Sequence, residues 1–472
     1  MAKKQKKSSS TSKKIEKKIM KEARKNPKGF FLALSLVLVL VLVLGGVYLY
    51  LRSSGKLPSS GGDSSSFHSE EAGSDSVPES LSYAEGECDP ISFHFIERGE
   101  PYSGDAVYIK AGENDILIDA GAKKGSAIAI ENYLDDATRG GDYVQDGTLE
   151  YVFSTHGHQD HIAGMMGTSD PKSPGGRNGI LHHYKVENLF DFSYFDSSDG
   201  KSVIANFDPS NSKGNPSFVD YKSTFTKSGK EVSHSTQLYQ DYVASREYAL
   251  SQGTVWKTAY DVVSEFGEKA YTIELGKNLS ATLLYSYFYD HTSAEVSGLE
   301  SSYKRSSFSD QNDYSLSLLF TQGNRHFLFT GDSEEYAEHS LVKYNQIPAV
   351  DLFKAGHHGS YTASGDELLS KAKPACCVVT CCAGNQEYAS KKENSFPAQA
   401  FLDRIAAYTD RVYVTTLGDW EDKSKHSPFN GTVVASYSPL SEETLSFSAS
   451  PAKLKDSEWM KQNRTMPGPW KS

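Results

Sequence analysis

Residues 154–161 bring together side chains that commonly bind metal ions. The segment reads Ser-Thr-His-Gly-His-Gln-Asp-His, so His156, His158, Asp160 and His161 fall within six residues. Neutral imidazoles suit zinc, manganese or iron, and a carboxylate adds charge for a second cation. Alternation at a strand end can bring the first two histidines to one ion, and a turn lets the other pair reach a second. A chance cluster of surface polar residues would explain the composition but not this spacing, which predicts a metal site.

Two later segments can complete such a centre, because a pair of cations needs a bridging carboxylate and further imidazoles. Asp332 ends the apolar segment HFLFTGD, and His357 and His358 follow in KAGHHGS. An aspartate in a Gly-Asp pair at a strand end is more often a turn residue, so Asp332 gains its meaning from the upstream cluster. Lys354 can offset phosphate charge, although a lysine at this place in a strand is usually solvated.

The elements that must position these motifs alternate between strands and helices. ISFHFIE, DAVYIKAG and DILIDAG are short alternating segments between turn residues, which predicts strands. SAIAIENYLDD and EEYAEHSLVKYN predict helices, and VDLFKAGHHGS predicts a strand that ends in a loop. This grouping is compatible with a four-layer α/β sandwich over residues 90–450. The stretch 165–277, rich in Ser, Asn, Gly and Lys, is predicted to be an insertion.

The two ends of the chain differ from this domain. Residues 1–29 are strongly basic, and residues 30–51 carry no charge. A helix of that length rises about 33 Å, enough to cross a hydrocarbon core of about 30 Å. The apolar segment is longer than a cleaved signal peptide needs and lacks an A-x-A site, which favours a retained anchor with the following residues outside the cell. Residues 52–89 are predicted to be a flexible Ser/Gly/acidic linker, and residues 451–472 a poorly ordered tail.

The charge is distributed unevenly along the chain. Up to Arg52 there are thirteen Lys and Arg against two Glu, a net charge of +11, and since the whole chain carries −11 the remainder carries −22. An acidic ectodomain is not typical of a general binder of phosphate backbones, although metals and a local basic patch still allow action on nucleic acid.

The cysteines form one cluster, PACCVVTCC, besides the single Cys88. A zinc site or redox pair is one interpretation. The Val- and Cys-rich segment is also typical of a buried strand, in which Cys377 and Cys381 would lie about 13 Å apart on one face, too far for a disulfide or a shared metal ion. Buried structural cysteines are therefore predicted.

Together, these motifs resemble the metallo-β-lactamase superfamily. The resemblance rests on H-x-H-x-D-H after LIDAG, on NDYSLSLLF with LFTGD, and on KAGHHGS. More narrowly, the chain is similar to the soluble hydrolase domain of ComEC-type DNA-uptake proteins and to phosphorylcholine esterases of Gram-positive surfaces. The resemblance, from about Ile91 to Ser450, implies a four-layer αββα fold, here preceded by one transmembrane helix, and two divalent metal ions, zinc or alternatively manganese.

The resemblance also assigns roles to residues. His156 and His158 would hold one metal ion, and Asp160 and His161 the other, with Asp332 as the bridge. The family loop length favours His358 as the last ligand and leaves His357 as its neighbour or hydrogen-bond partner. Asp119 of LIDAG corresponds to the carboxylate that orients a ligand histidine or the metal loop. The residues named in this paragraph are predicted site residues.

One ligand of the first metal ion stays open at this point. His234 is the first candidate for the third histidine, because it lies in a loop before a predicted helix, and His182, His183 and His291 compete with it. Channel-protein members of the family often carry a later Gly-His-Pro, whereas this sequence has Ser-Phe396-Pro397. The chain departs from the family at that position.

The predicted function is extracellular hydrolysis of a phosphodiester, in a nucleic acid or in a cell-wall or lipid phosphoester. Two metals would activate a water molecule, with Asp160 positioning it and accepting its proton. Whether His357, His358 or Ser360 assists the leaving group is open. The alternatives are hydrolysis of an amide, ester or lactone, and a non-catalytic surface binding protein. With one predicted membrane helix, the chain cannot itself be a DNA-conducting channel, and no protein partner is indicated.

Overall fold

The computed structural model describes residues 87–135, 143–196, 202–206, 218–220, 224–233, 235–291, 311–437 and 445–471. All of them belong to the compact unit Glu79–Ser472. The predicted transmembrane segment, residues 30–51, lies outside the described residues. Within the described ranges no helix has both the length and the apolar character needed to cross a bilayer.

The first of two large sheets in the described part of the chain combines antiparallel hairpins with parallel crossovers. Its strands are, in spatial order, β11 (Val255–Thr258), β5 (Lys185–Asp191), β4 (Thr148–Phe153), β3 (Asn114–Ile118), β2 (Val107–Ala111), β1 (Ile91–Phe95), β20 (Val433–Tyr437) and β21 (Ser446–Phe447). Strands β3, β4, β5 and β11 run parallel. Their carboxyl ends therefore meet at one edge, where the loops that follow β3 and β4 carry the LIDAG aspartate and the histidine motif.

The second large sheet also combines antiparallel and parallel strands. Its strands are, in spatial order, β12 (Tyr271–Gly276), β13 (Leu279–Leu283), β14 (Leu318–Gln322), β15 (Arg325–Phe329), β16 (Leu352–Lys354), β17 (Cys377–Ala383), β18 (Val412–Gly418) and β19 (His426–Pro428). Strands β15 to β18 run parallel. The loops after β15 and β16 carry Asp332 and the paired histidines, again at carboxyl ends.

Helices cover the outer face of each sheet. The first sheet is covered by α1 (Ser126–Asp135), α2 (Gln159–Met166), α3 (Ile180–His183) and α4 (Gln237–Ser251), and α5 (Ala259–Phe266) packs into the core between the sheets. The second sheet is covered by α6 (Glu335–Tyr344), α7 (Asp366–Ala372), α8 (Gln399–Ile405) and α9 (Glu458–Asn463).

Three apolar cores separate the layers. The inner faces of the two sheets pack together through residues such as Phe93 and Phe327, whose rings lie 4.7 Å apart. The outer cores lie between each sheet and its helices, for example at Leu117 and at Phe353. Helices, sheet, sheet and helices thus follow one another, in agreement with the predicted αββα sandwich.

Strand β17, which contains most of the cysteine cluster, lies between the core shared by the two sheets and the outer core of the second sheet. All seven residues of β17 are buried, and all five cysteines of the chain are buried and without a disulfide. Burial raises the pKa of Cys377 well above its usual value, which keeps the thiol protonated and unreactive. The prediction of buried structural cysteines is confirmed.

Two segments differ from their predicted organisation. Within residues 165–277, the described strands that lie outside the two large sheets form one small sheet and one hairpin. The small sheet comprises β6 (Tyr194–Asp196), β7 (Ser202–Asn206) and β8 (Phe218–Asp220), and the hairpin comprises β9 (Thr224–Lys227) and β10 (Lys230–Ser233). The other described strands of this stretch belong to the large sheets, and its described α-helices pack in the apolar cores. The C-terminal residues were predicted to be poorly ordered, which is wrong for the described part: Leu454, Trp459, Met460 and Trp470 are buried in the outer core of the second sheet.

Candidate metal centre

The histidine motif occupies the loop between β4 and α2. Residues 154–158 leave the carboxyl end of β4, and α2 begins at Gln159, so that Asp160 and His161 lie in its first turn. Helix α2 lies unusually close to the loop after β3: a Cβ atom on Gly164 would come within 2.0 Å of the Ala120 carbonyl oxygen. The Ala120 N–H in turn donates to the His161 carbonyl at 2.7 Å. Glycine at position 164 therefore allows the two loops to lie against each other.

Four buried side chains from both sheets converge at the shared strand edge. Asp160, His161, Asp332 and His358 offer ligand atoms that all lie within 4.8 Å of one another. Asp332 is central, because its Oδ2 lies 3.2 Å from Nε2 of His161 and 3.3 Å from Nε2 of His358. Nε2 of His358 also lies 3.4 Å from Oδ2 of Asp160. These four residues are called the Asp/His cluster below.

Three buried polar atoms of the Asp/His cluster are available to bind a cation. Nε2 of His161, Nε2 of His358 and Oδ1 of Asp332 are fully buried and make no hydrogen bond with the described residues. A buried polar atom without a partner is costly, and such atoms usually mark an ion or water site. Two imidazole nitrogens and two carboxylates are a donor set that zinc or manganese accepts. The residues present can therefore hold a divalent metal ion.

His156 and His158 form a second pair next to this cluster. Nε2 of His156 lies 3.1 Å from Nδ1 of His158, and the ring centre of His156 lies 4.1 Å from that of His161. Burial, with the neighbouring His161 and His158, lowers the pKa of His156 well below its ordinary value. The ring is therefore neutral, which is the form that binds metals.

The predicted third histidine is not found among the described residues. His234, the first candidate, lies outside them. His182 instead contacts the Pro174 carbonyl at 2.9 Å through Nδ1 and stacks on Tyr248. His183 pairs with Asp135 at 2.7 Å on the surface, and His291 pairs with Asp290 at 2.8 Å. Each of these three competitors therefore has a partner of its own, and the third histidine of the first metal site stays a prediction.

The adjacent histidines after β16 face different surroundings. Both have positive φ angles, 46° for His357 and 52° for His358, so the backbone turns sharply between them. His358 is fully buried in the Asp/His cluster, whereas the His357 side chain is 19% exposed and its Nδ1 lies 3.2 Å from Oε1 of Glu334. Phe396, at the position where the family often has histidine, packs against both rings. His358 thus lies among the other side chains of the cluster and His357 beside them, and the choice of His358 as ligand stays a prediction.

Two buried carboxylates lie behind the imidazoles. Asp119, with φ of 59°, accepts from Nδ1 of His161 at 2.7 Å and from the Thr155 N–H at 2.8 Å. Asp119 thus contacts a predicted ligand histidine, and its orienting role stays a prediction. Asp105 lies 3.3 Å from Nδ1 of His358 and pairs with Lys354. The Lys354 side chain is only 2% exposed, so the alternative of a solvated lysine does not hold.

The electrostatic environment of the site is negative. Burial by itself lowers the pKa of His358, but Asp332 and Asp105 outweigh this effect and raise the pKa well above its usual value. Burial likewise lowers the pKa of His161, and Asp332 and Asp119 outweigh it. A field that keeps protons on two buried imidazoles also attracts divalent cations, which would take the place of those protons.

Sequence reasoning missed three parts of the site. Asp105 lies in the predicted strand segment DAVYIKAG without a predicted role, and its signal is the Gly104-Asp105 pair shortly before β2. Residues 312–315 belong to the family motif NDYSLSLLF, again without a predicted role, and Gln311 directly precedes it. Here Ser315 Oγ lies 3.3 Å from Nδ1 of His156 and accepts from the Asp332 N–H at 3.1 Å. Gln311 is 4% exposed, and its Oε1 would lie 2.3 Å from a Cβ on residue 157, directly above the histidine loop.

Comparison with protein families gives one match to a domain model. Residues 99–215 match the model described as "Metallo-beta-lactamase superfamily". This region includes the LIDAG and H-x-H-x-D-H motifs and ends before Asp332. The sequence resemblance to the superfamily is confirmed.

Two curated proteins are similar over a limited stretch. Recombination protein 2 of Haemophilus influenzae is 26% identical over 106 residues, which is 22% of this chain and 12% of that protein. ComE operon protein 3 of Bacillus subtilis is 26% identical over 105 residues, 22% of this chain and 13% of that protein. The chain therefore spans only about an eighth of the length of these relatives. The ComEC-type resemblance is confirmed for that stretch, whereas the resemblance to phosphorylcholine esterases stays a prediction.

Among solved structures, one similar chain is titled "Crystal Structure of a New Diphosphatase from the PhnP Family". Its superposition on the present chain has a TM-score of 0.26 with 11% sequence identity. The aligned region covers 61% of the present chain and 86% of the similar one. A likeness at this level supports no inference about function. The mixed sheets and the buried Asp/His cluster agree with the match of residues 99–215 to the metallo-β-lactamase superfamily model.

Proposed function

We propose that this chain is a membrane-anchored, extracellular, metal-dependent hydrolase whose substrates are phosphodiesters. The observation that carries the proposal is the Asp/His cluster, whose four ligand atoms lie within 4.8 Å and whose inward-facing nitrogens have no hydrogen-bond partner in the described structure. A non-catalytic binding protein with this fold would not need such a buried, charged set of donor atoms. Burying these groups without a bound cation would cost free energy.

The proposed ligands divide into two groups. Asp160, His161 and His358 would hold one cation, His156 and His158 the other, and Asp332 would lie between them. Two bound divalent ions, zinc or alternatively manganese, would supply a water molecule of lowered pKa and stabilise negative charge on the reacting group. A ligand from the undescribed residues, with His234 first among them, would complete the group of His156 and His158.

The side chains around the cluster have distinct tasks. Asp160 would orient the attacking water and accept its proton. His357 lies at the exposed side of the cluster, with Nε2 3.9 Å from Oδ2 of Asp332, where it would contact the leaving group. Its Nδ1 lies 3.2 Å from Glu334, which fixes the ring orientation. Phe396 packs against His357 and keeps water from one side of it.

The phosphodiester as substrate follows from the narrower resemblance. The two curated relatives are named for recombination and for the ComE operon, which points to nucleic acid, although the matched stretch is short. The net charge of −22 after Arg52 argues for a short or locally contacted phosphoester rather than a long polyanion held over the whole surface. Amide, ester and lactone substrates remain the alternative class, because the ligand set by itself indicates only an activated water.

The location is proposed from the sequence of the N-terminus. Residues 30–51 carry no charge, and the preceding segment is strongly basic. Under the positive-inside rule this order keeps the basic segment in the cytoplasm and places the metal centre outside the membrane. Residues 52–89 would then act as the spacer between membrane and enzyme.

The test uses the full-length chain purified in mild detergent. Hydrolysis of bis(p-nitrophenyl) phosphate is followed with zinc or manganese, with chelator, and for the double variant Asp160→Ala/His161→Ala. The matched control is Asp135→Ala/His183→Ala, which removes an exposed Asp–His pair of the same residue types.

Turnover that the chelator and the cluster variant abolish, but that the control retains, is the expected result. Turnover of p-nitrophenyl acetate or a β-lactam chromophore instead would replace the phosphodiester by the acyl class. Failure of the wild-type chain to retain any divalent metal would overturn the proposal.

A further inference from the structure

A buried ion pair lies behind the Asp/His cluster and connects the two sheets. Asp105 lies two residues before the start of β2 of the first sheet, and Lys354 is the last residue of β16 in the second. Their side chains form an ion pair, and each is only 2% exposed. Removing two charges from water often costs more than their attraction returns, so a pair at such a place is weak as a stabilising device. Its contacts indicate a different role.

Asp105 contacts the metal ligands through its side chain and through its backbone. Oδ1 lies 3.3 Å from Nδ1 of His358 and accepts a hydrogen bond from the Thr380 hydroxyl. Oδ2 lies 3.8 Å from Nδ1 of His161. The Asp105 N–H donates to the Asp160 carbonyl at 3.1 Å. One residue thus touches three members of the Asp/His cluster.

The preceding glycine allows this contact. A Cβ atom on Gly104 would lie 2.6 Å from the Asp160 carbonyl oxygen, so a larger residue would push the Asp105 segment away from the metal loop. On the other side, the Asp105 carbonyl accepts from the Gly121 N–H at 2.7 Å. The Asp105 backbone therefore holds the loops after β3 and β4 together beneath the cluster.

We infer that Asp105 and Lys354 are positioning residues of the metal centre, with Asp105 orienting His358 and Lys354 holding Asp105 from the opposite sheet. The inference rests on the metal-binding role proposed above. An imidazole whose Nδ1–H donates to a carboxylate presents its Nε2 lone pair to the metal in a fixed direction. Asp119 makes this contact with His161 at 2.7 Å. Nδ1 of His358 lies 3.0 Å from the Thr380 carbonyl oxygen and 3.3 Å from Oδ1 of Asp105, so the backbone carbonyl and the carboxylate together face this nitrogen. Each inward-facing histidine of the cluster therefore has a carboxylate beside its Nδ1.

Lys354 also balances charge at this place. Its ammonium lies 3.8 Å from Oδ1 of Asp332, besides its pairing with Asp105. Asp105 is not itself a member of the Asp/His cluster, so its carboxylate would need a compensating cation other than the one bound there. A fixed ammonium from the second sheet meets that need without occupying a ligand position.

The experiment measures zinc binding by the full-length, metal-free chain in competition with a chromogenic chelator. The variants are Asp105→Asn, Asp105→Asn/Lys354→Met and the milder Thr380→Val. The control is Asp351→Asn, because Asp351 precedes the same short strand and pairs with Arg325 at 2.7 Å away from the cluster. Thermal unfolding of each metal-free variant is recorded alongside.

The expected result is a zinc affinity about 10- to 100-fold weaker in Asp105→Asn and in the double variant, since loss of an orienting partner has effects of this size. Thr380→Val should show a smaller loss, and Asp351→Asn none. The double variant should unfold at a higher temperature than Asp105→Asn, because it leaves no uncompensated ammonium.

A purely structural ion pair gives a different pattern. In that case the variants change the unfolding temperature, but every variant that folds binds zinc like the wild type, and this outcome would overturn the inference. If a substitution at Asp105 prevents folding, the zinc affinity of Thr380→Val decides in the same way. A wild-type chain that binds no metal would instead refute the proposed function, so the two failures are distinguishable.

Discussion

Acidification is expected to destabilise the folded chain through His94, a residue of β1 that lies away from the metal centre. The side chain is 3% exposed and is held by Tyr133 of α1, whose hydroxyl lies 2.7 Å from Nδ1, and by Ser92, whose Oγ lies 3.0 Å from Nε2. Burial lowers the pKa of His94 from 6.5 to about 4, because the imidazolium would lose its hydration. The residue is therefore neutral in the fold at any pH above about 4.

The size and sign of the effect follow from this shift. The unfolded chain takes up a proton near pH 6.5 while the folded chain does not, so the contribution to stability is intact above that pH and is lost as the pH falls. For the pKa values of 6.5 and about 4, the free energy of unfolding falls by about 2 kcal/mol between pH 7.5 and 5.0.

The assay compares urea unfolding of the wild type and His94→Gln at pH 7.5 and 5.0. Glutamine keeps a polar side chain near Tyr133 but does not titrate, so the variant should lose about 2 kcal/mol less than the wild type on acidification. Tyr133→Phe serves as the control, because it removes the same hydrogen bond without removing the imidazole and should preserve the wild-type pH dependence. Identical pH dependence in His94→Gln and the wild type would refute the reasoning.

Three further predictions concern the metal centre, a close contact and the C-terminal segment. His358→Ala should abolish binding of one of two zinc ions, whereas His357→Ala should retain both and lower turnover; metal analysis after dialysis checks this, and equal zinc loss in both variants would contradict the placement of the two rings. Gly164→Ala should unfold at a markedly lower temperature than Ala163→Gly in the same helix, since its Cβ would meet the Ala120 oxygen at 2.0 Å; a smaller loss than the control would contradict that contact. Met460→Ala should cost about 2–5 kcal/mol in urea unfolding, as expected for a fully buried side chain, whereas a poorly ordered C-terminus would show no change.

Much of the fold could be predicted because the strands obey simple patterns. Segments such as DILIDAG and HFLFTGD carry an aspartate after an apolar run, and the structure places both aspartates in loops at the carboxyl ends of β3 and β15. Parallel strands bring such ends together at one edge, so spacing along the chain translates into proximity. The Asp/His cluster was therefore accessible from motifs, although its members lie nearly 200 positions apart.

The residues that the sequence did not predict correctly are those that are buried by distant parts of the chain. Lys354 looks like a solvated lysine in sequence, and only its partner Asp105 on the other sheet explains why it is buried. The C-terminal segment lacks a long periodic pattern, and its burial depends on single contacts: a Cβ on Gly384 would lie 2.6 Å from Nε1 of Trp459, so glycine there makes room for the indole. Local patterns do not reveal contacts of this kind, because their partners are distant in sequence.

The division of the proposed ligands between the sheets would couple metal binding to folding. Asp160 and His161 come from the first sheet, whereas Asp332 and His358 come from the second, so a cation bound by all four joins the two halves of the sandwich. Without it, their carboxylates and imidazoles are held by one another and by the Asp105–Lys354 pair. A ligand that binds only the folded state stabilises it by about 2.7 kcal/mol at a free concentration 100 times its dissociation constant. Bound metal should therefore raise the free energy of unfolding by stabilising the contact between the sheets. Variants that weaken metal binding should lose this increase, whereas the free energy of unfolding of their metal-free forms should depend on packing alone.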